Sequence, residues 1–566
     1  MCRRSGLSLV LVAMSVVALA SGRLQAAEGR GQVGSYRDLT ALFEEFRAFH
    51  EPTLTDGVPD YSAEAMQRQY RELVGYQRRL AAFDITGWPV AQQVDYHLVR
   101  AEMNGLEFYH RVMKPWSTSP DFYWGSPTST GMPFYGFSSR QPSGEEVGEE
   151  AGSIARYGFS ARPLMPLSED ELEAYRVRLR ALPKILAQGK ANIVLEEAKH
   201  DMGILGIRSM DEEGVLLQGL VELMKEHHPE AVADAEAAWV AVQDYRAWIV
   251  ANLDRMTAPT GVGGENFDWW LKNVWLVPYT SDEAWAILSS RYDRTMSALE
   301  LERYRNRELA TLEPAATEAE YVGGYAEAAD DLIEFFRWGG YLGLVEELAA
   351  LDMSPPARKA FATESDPMDL AERVRFLFPL DEVVHENLGH QLDVLRPKDH
   401  LSSIRVTRRL HEMTHTRREG FAAGLAEVLI NGGIADERPR VRELVYITAA
   451  YRDARGMGDL KFQVNEHDYA GWMRYDSDLS PFQWAIPDSF TMWDHKRDAV
   501  RAPGYELAYT LGATQFEKLL TARARQLGEE FDLGEFLNEM FAVGEIPFAL
   551  IHWEMTGLTD EVDKLW

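Results

Sequence analysis

Apolar residues recur every three or four positions along most of this chain, often directly behind a helix-start signal. Ser168 opens Ser-Glu-Asp-Glu, a capping box closed by Glu171, and Leu172, Tyr175, Leu179 and Leu182 follow on one face. Thr280 and Glu283 repeat the arrangement ahead of Trp285, Leu288 and Tyr292. Such spacing matches the 3.6-residue period of an α-helix rather than the two-residue period of a strand. Helices are expected over 62–83, 90–113, 212–252, 314–350, 366–392, 404–431 and 505–528. Gly, Pro and Ser mark loops at about 114–166 and a sharp break at 257–265. Short strands are expected only near 272–279 and 485–493. No repeat or flexible linker divides the chain, so residues 28–566 are expected to form one large, mainly α unit with a central cleft. A division into two lobes is left open.

The charge balance narrows the function. With 58 Lys+Arg against 89 Asp+Glu, the formal net charge is −31. That argues against nucleic-acid binding and against docking on anionic lipid, both of which need a basic face. The single cysteine, Cys2, excludes an internal disulfide framework and an all-cysteine metal site. Residues 1–27 read as a secretory signal: Arg3 and Arg4, then the apolar run Leu7–Ala20, then small residues around Ala26 and Ala27. The run is shorter than the ~20 residues a membrane span needs. No later segment is apolar enough to span, so no stable membrane insertion is expected after cleavage. The mature protein is expected to be exported, periplasmic or extracellular, and cysteine-free.

Any metal chemistry must then rest on His, Asp and Glu. Residues 385–390 read His-Glu-Asn-Leu-Gly-His. Two histidines four apart share a helix face, but five apart they diverge by roughly 140° on an ideal α-helix. A π-turn, at about 4.4 residues per turn, brings them back to roughly 50°. The motif therefore demands a helix widened near Gly389. Given that, His385 and His390 would bind Zn²⁺, and Glu386 would act as general base toward the attacking water. A third ligand is needed from a later helix; Glu419 and Glu427 are the candidates. His411-Glu-Met-Thr-His415 offers the commoner four-residue spacing. Its flanking Arg408, Arg409, Arg417 and Arg418 are adverse to a dication and read as a solvated face. No G-x-S-x-G elbow supports a serine nucleophile.

Three segments in order resemble the DUF885 family: His385-Glu-Asn-Leu-Gly-His390, then Glu419-Gly-Phe-Ala with Ala426-Glu427, then Pro503-Gly-Tyr-Glu-Leu-Ala-Tyr509-Thr-Leu-Gly512. The resemblance extends from about residue 35 to the C-terminus. It implies a helical zincin-like metallopeptidase fold, one zinc ion, and a peptide substrate bound in a channel or cleft. It also implies Tyr509 as the donor that stabilises the transition state, with Tyr505 or His495 assisting. The chain departs from the family pattern in three places. The Pro before Gly389 is missing, which makes the first motif similar to the H-E-x-x-G-H of dipeptidyl peptidase III. Glu419 and Glu427 are eight apart rather than seven. Asp393 stands near the place of a Gln. These departures motivate the alternative of a non-catalytic, zinc-stabilised binding protein.

Overall fold

The computed structural model describes residues 34–124, 165–355 and 368–566. The signal segment 1–27, most of the 114–166 loop and the start of the 366–392 helix lie outside the described residues. What is described is mainly α. The one sheet among the described residues is a hairpin, Leu54–Thr55 against Val58–Pro59. Its turn places Asp56 and Gly57 at positive φ, 50° and 76°.

Both capping boxes form, at Ser168 ahead of Glu169–Asn192 and at Thr280 ahead of Ser281–Arg305. Several expected helices are interrupted where the backbone changes hand or loses a donor. The 212–252 span is a hairpin of His200–His227 and Val232–Asn252, divided at His228-Pro229. The 314–350 span divides at Gly339-Gly340, with Gly340 at φ 84°. The 404–431 span is a short turn, Ser403–Val406, and a separate helix, His415–Asn431.

Neither expected strand forms. Val274 to Tyr279 is irregular and buried, with Leu276 at φ 53° and the Trp275 indole donating to the His411 carbonyl at 3.1 Å. Residues 490–493 begin the helix Phe490–Arg501 instead. The apolar, β-branched character of the first run reflects burial, not pairing.

The centre of the fold is a stack of four helices: Ser281–Arg305, His415–Asn431, Pro439–Gln463 and Leu507–Leu527. His415–Asn431 is buried nearly all round and crosses Leu507–Leu527 in the most extensive helix contact among the described residues. Small residues permit that approach. A Cβ on Gly512 would stand 2.0 Å from the Thr416 carbonyl oxygen, and one on Gly420 would stand 2.3 Å from Gly512 Cα. Backbone atoms cannot yield as a side-chain tip would. Gly512→Ala is therefore expected to destabilise the protein by about 1–3 kcal/mol or more through overpacking. A fall in the urea midpoint checks this; an unchanged midpoint would show that the crossing can open without cost. No described helix is long and apolar enough to cross a membrane.

Candidate metal centre

Around the first motif the helix changes gauge. Leu380–Val383 is α-helical, Val384–Gln391 is a π-helix, and Leu392–Leu395 returns to α. The wider turn faces the two imidazoles toward each other, with ring centroids 4.6 Å apart and Nε2 atoms 3.1 Å apart. Gly389 is needed for a reason other than backbone relaxation. Its φ is not among the positive ones. A Cβ there would lie 2.5 Å from Ala422 Cβ and 2.8 Å from Ala422 Cα. The bare glycine thus seats the π-helix directly on the helix that carries Glu419, one turn before Ala422.

That seating brings Glu419 Oε2 to 3.4 Å from His385 Nε2 and 3.4 Å from His390 Nε2. Among the described residues these three are the group that could share a metal ion. The fit is close. The point equidistant from the three atoms lies about 1.9 Å from each in their plane, and slightly above that plane it reaches the ~2.0–2.1 Å of Zn–N and Zn–O bonds. The donor set, two neutral nitrogens and one carboxylate, also matches zinc. Burial works to raise the Glu419 pKa, but hydrogen bonds from His385 and His390, with the His390 charge, outweigh it and hold the carboxyl well below its usual range. Burial works to lower the pKa of His390, and Glu419 raises it on balance.

A second layer fixes these groups. Arg452 makes a two-point ion pair with Asp381 at 3.0 and 2.9 Å, and its Nη2 lies 3.4 Å from His385 Nδ1. Arg418 Nε donates to Glu419 Oε1 at 3.3 Å. Tyr509 lies parallel to His385, with ring centroids 6.2 Å apart. Burial, and then the Glu419 carboxylate, push its phenol well above the usual range, so it stays a donor. Arg455, paired with the buried Glu506, sits 5.2 Å over the Tyr509 ring. Glu386 is exposed and, with His385, His390, Glu419 and Tyr509, lines a cleft of about 390 Å³. Arg375, Arg452 and Arg455 line it too.

Other sequence candidates sit elsewhere. Glu427 is not at the centre. Eight residues past Glu419 it is turned by roughly 80° and displaced by roughly 12 Å along the helix. There it is partly buried against Arg291, which also meets Glu517 at 2.9 Å and Asp453 at 3.7 Å. Tyr505 lies in the turn ahead of Leu507–Leu527, not inside the helix, and its ring packs on His415 at 4.0 Å. His495 belongs to the helix Phe490–Arg501, and its side chain lies outside the described residues.

The His411–His415 motif is not helical. His411 and Glu412 take positive φ, 61° and 48°. His411 Nε2 lies 3.1 Å from the Glu102 carbonyl, and His415 Nδ1 accepts from Arg418 at 3.1 Å. Burial lowers both imidazoles to about 3, so they remain neutral. Of the flanking arginines, Arg408 is exposed as a solvated face requires, but the other three are not. Arg409 and Arg417 are buried, paired with Glu102 at 3.2 Å and Asp393 at 3.0 Å. Sequence reasoning missed Arg452 and Arg455. The one available signal was their spacing from Asp459, at i, i+7 and i, i+4 on a helix otherwise rich in small residues.

No family model matches the sequence, and no curated protein gives a significant match. Solved structures do. A protein of unknown function from Shewanella oneidensis, provisionally labelled a lipoprotein, superposes with a TM-score of 0.66 at 12% identity. The match covers 92% of this chain and 100% of that one. The chain shares its fold. A second protein with a provisional lipoprotein label, from Colwellia psychrerythraea, gives 0.64 at 15% identity over 93% and 100% of the two chains. At such identities the likeness concerns architecture alone.

Proposed function

We propose that the chain is an exported, zinc-dependent peptidase of the helical zincin-like kind, related to the DUF885 proteins its motifs resemble. The observation that carries this reading is the convergence of His385, His390 and Glu419 at the floor of a cleft also lined by Glu386 and Tyr509. His385, His390 and Glu419 would hold the zinc ion. When bound, zinc supplies Lewis-acid polarisation of the scissile carbonyl and lowers the pKa of water to about 7.

This chain's own residues supply the rest. Glu386 takes the proton of the attacking water and returns it to the leaving amine nitrogen. The Tyr509 phenol donates to the carbonyl oxygen as that oxygen gains charge. Arg452, held by Asp381, limits rotation of His385, and Arg455 keeps the Tyr509 ring in place. A cleft of about 390 Å³ suits a few residues of an extended peptide rather than a folded protein. The leader-like segment 1–27 supports export, as do the lipoprotein labels of the two structural neighbours.

Purified mature protein is expected to carry one zinc per chain by elemental analysis. Dialysis against a chelator should abolish cleavage of a mixed peptide library, and added zinc should restore it. Absence of both metal and cleavage would sink the reading. Metal without cleavage would favour the binding-protein alternative.

A further inference from the structure

A second cavity, of about 490 Å³, is lined by a different set of residues, including Arg111, Lys114, Lys199 and Val262. Lys199 is the unusual one. Only 8% of it is exposed, and it precedes the helix His200–His227. Its Nζ donates to the Thr260 carbonyl at 3.1 Å and touches Met113 Sδ at 4.0 Å. Among the described residues no carboxylate comes within ion-pair distance of that nitrogen, although Glu196 and Glu197 stand at the cavity wall. Glu196 is turned to Arg255 at 2.7 Å. An ammonium carries three donors, and one of them has a strong acceptor here. A buried cation without a counter-charge is costly, and the adjoining helix start, with its partial positive charge, adds to the cost.

We propose that this cavity binds a small organic carboxylate, its anionic head on Lys199 and its apolar body against Val112, Pro259 and Val262. Arg111 and Lys114 share the wall and add positive charge at the entrance. Asn266 uses its amide N–H₂ on the Val262 carbonyl at 2.9 Å, leaving its oxygen to accept from a polar substituent. Burial lowers the Lys199 pKa to about 8, so a bound anion would also secure its charge. The site is independent of the cleft chemistry and stands or falls separately.

The test uses hexanoate as probe and 1-hexanol as its uncharged counterpart, with binding to the full mature chain read by calorimetry. Hexanoate is expected to bind about tenfold or more tightly than hexanol, the worth of one charge-assisted hydrogen bond. Lys199→Met should erase that preference, and the exposed Lys114→Gln should weaken it without affecting folding. In the wild type, hexanoate should also slow carbamylation of Lys199 by cyanate, read by peptide mass spectrometry, about fivefold or more. Equal binding of hexanol, or carbamylation unaffected by hexanoate, would overturn the proposal. So would protection by inorganic phosphate with none by hexanoate.

Discussion

Glu386→Gln is expected to reduce peptide hydrolysis by about 10²–10⁴-fold while leaving one zinc bound per chain. The side chain follows His385 on the π-helix, but it is exposed at the cleft while the three convergent donor atoms come from other residues. Gln keeps the size and hydrogen-bonding reach of Glu and loses only the capacity to accept a proton. Turnover and metal content should therefore separate. Parallel rate measurements and elemental analysis on the same preparation check this. Unchanged turnover would remove Glu386 from the mechanism, and joint loss of metal and turnover would make it a ligand or a folding determinant. A wild type that carries zinc and cleaves nothing would leave the fold a binding scaffold, the alternative raised by the missing Pro and the shifted Glu427.

Arg291→Met is expected to cost about 3–5 kcal/mol of stability, the largest structural effect of any single substitution considered. Arg291 is buried and faces Glu427, Glu517 and Asp453. Methionine would fill much of the volume but leave Glu427 and Asp453 in the interior with that guanidinium gone. Burial already pushes Asp453 up to about 7, with Arg291 opposing the rise, and it raises Glu427 as well. A carboxyl whose pKa is raised on folding takes up a proton as the chain folds. Its contribution is fully present below the unfolded value near 4 and is lost as pH rises through about 7. The Arg291→Met deficit should therefore be smaller at pH 5 than at pH 8, as measured by urea unfolding at both. A deficit independent of pH would mean the carboxylates find other partners or water. Because Glu427 is not at the candidate metal centre, any zinc the wild type carries should be retained in the variant at pH 5.

The parts of the site that were legible in the sequence are those fixed by local spacing. A spacing of five puts His385 and His390 on one face only if the helix is wider than a regular α-turn, and the π-helix over Val384–Gln391 meets that demand. Glu419 was legible as one of two candidates; the choice over Glu427 depends on which neighbouring helix each one faces. Arg291 lies 136 positions from Glu427, and no local pattern links the two. The misreading of the arginine-rich turn has the same origin. Arg409 looks solvated until Glu102, some 300 positions earlier, is placed beside it. The helices were legible from capping boxes and apolar periodicity, while their interruptions at Pro229, Gly340 and His411 rest on a lost backbone donor or a change of backbone hand that the apolar period does not register. The buried run through Trp275 and Leu276 shows why short apolar segments are ambiguous: burial and β-pairing select the same residue types.

The bare crossing of Gly420 and Gly512 has a consequence for how such a centre could diversify. Glu419 precedes one of these glycines by a single residue, and Tyr509 precedes the other by three. The proposed carboxylate ligand and the proposed phenol donor are thus bolted to the same rigid joint, so neither can be re-aimed without dragging the other. Another part of the cleft wall is built differently: Leu370, Val374 and Arg375 come from a short helix, Leu370–Leu377, that is not one of the four stacked helices. If the proposed activity holds, variation in what the cleft accepts would be expected to accumulate there, where a changed side chain alters the fit of a ligand and leaves His385, His390 and Glu419 in place.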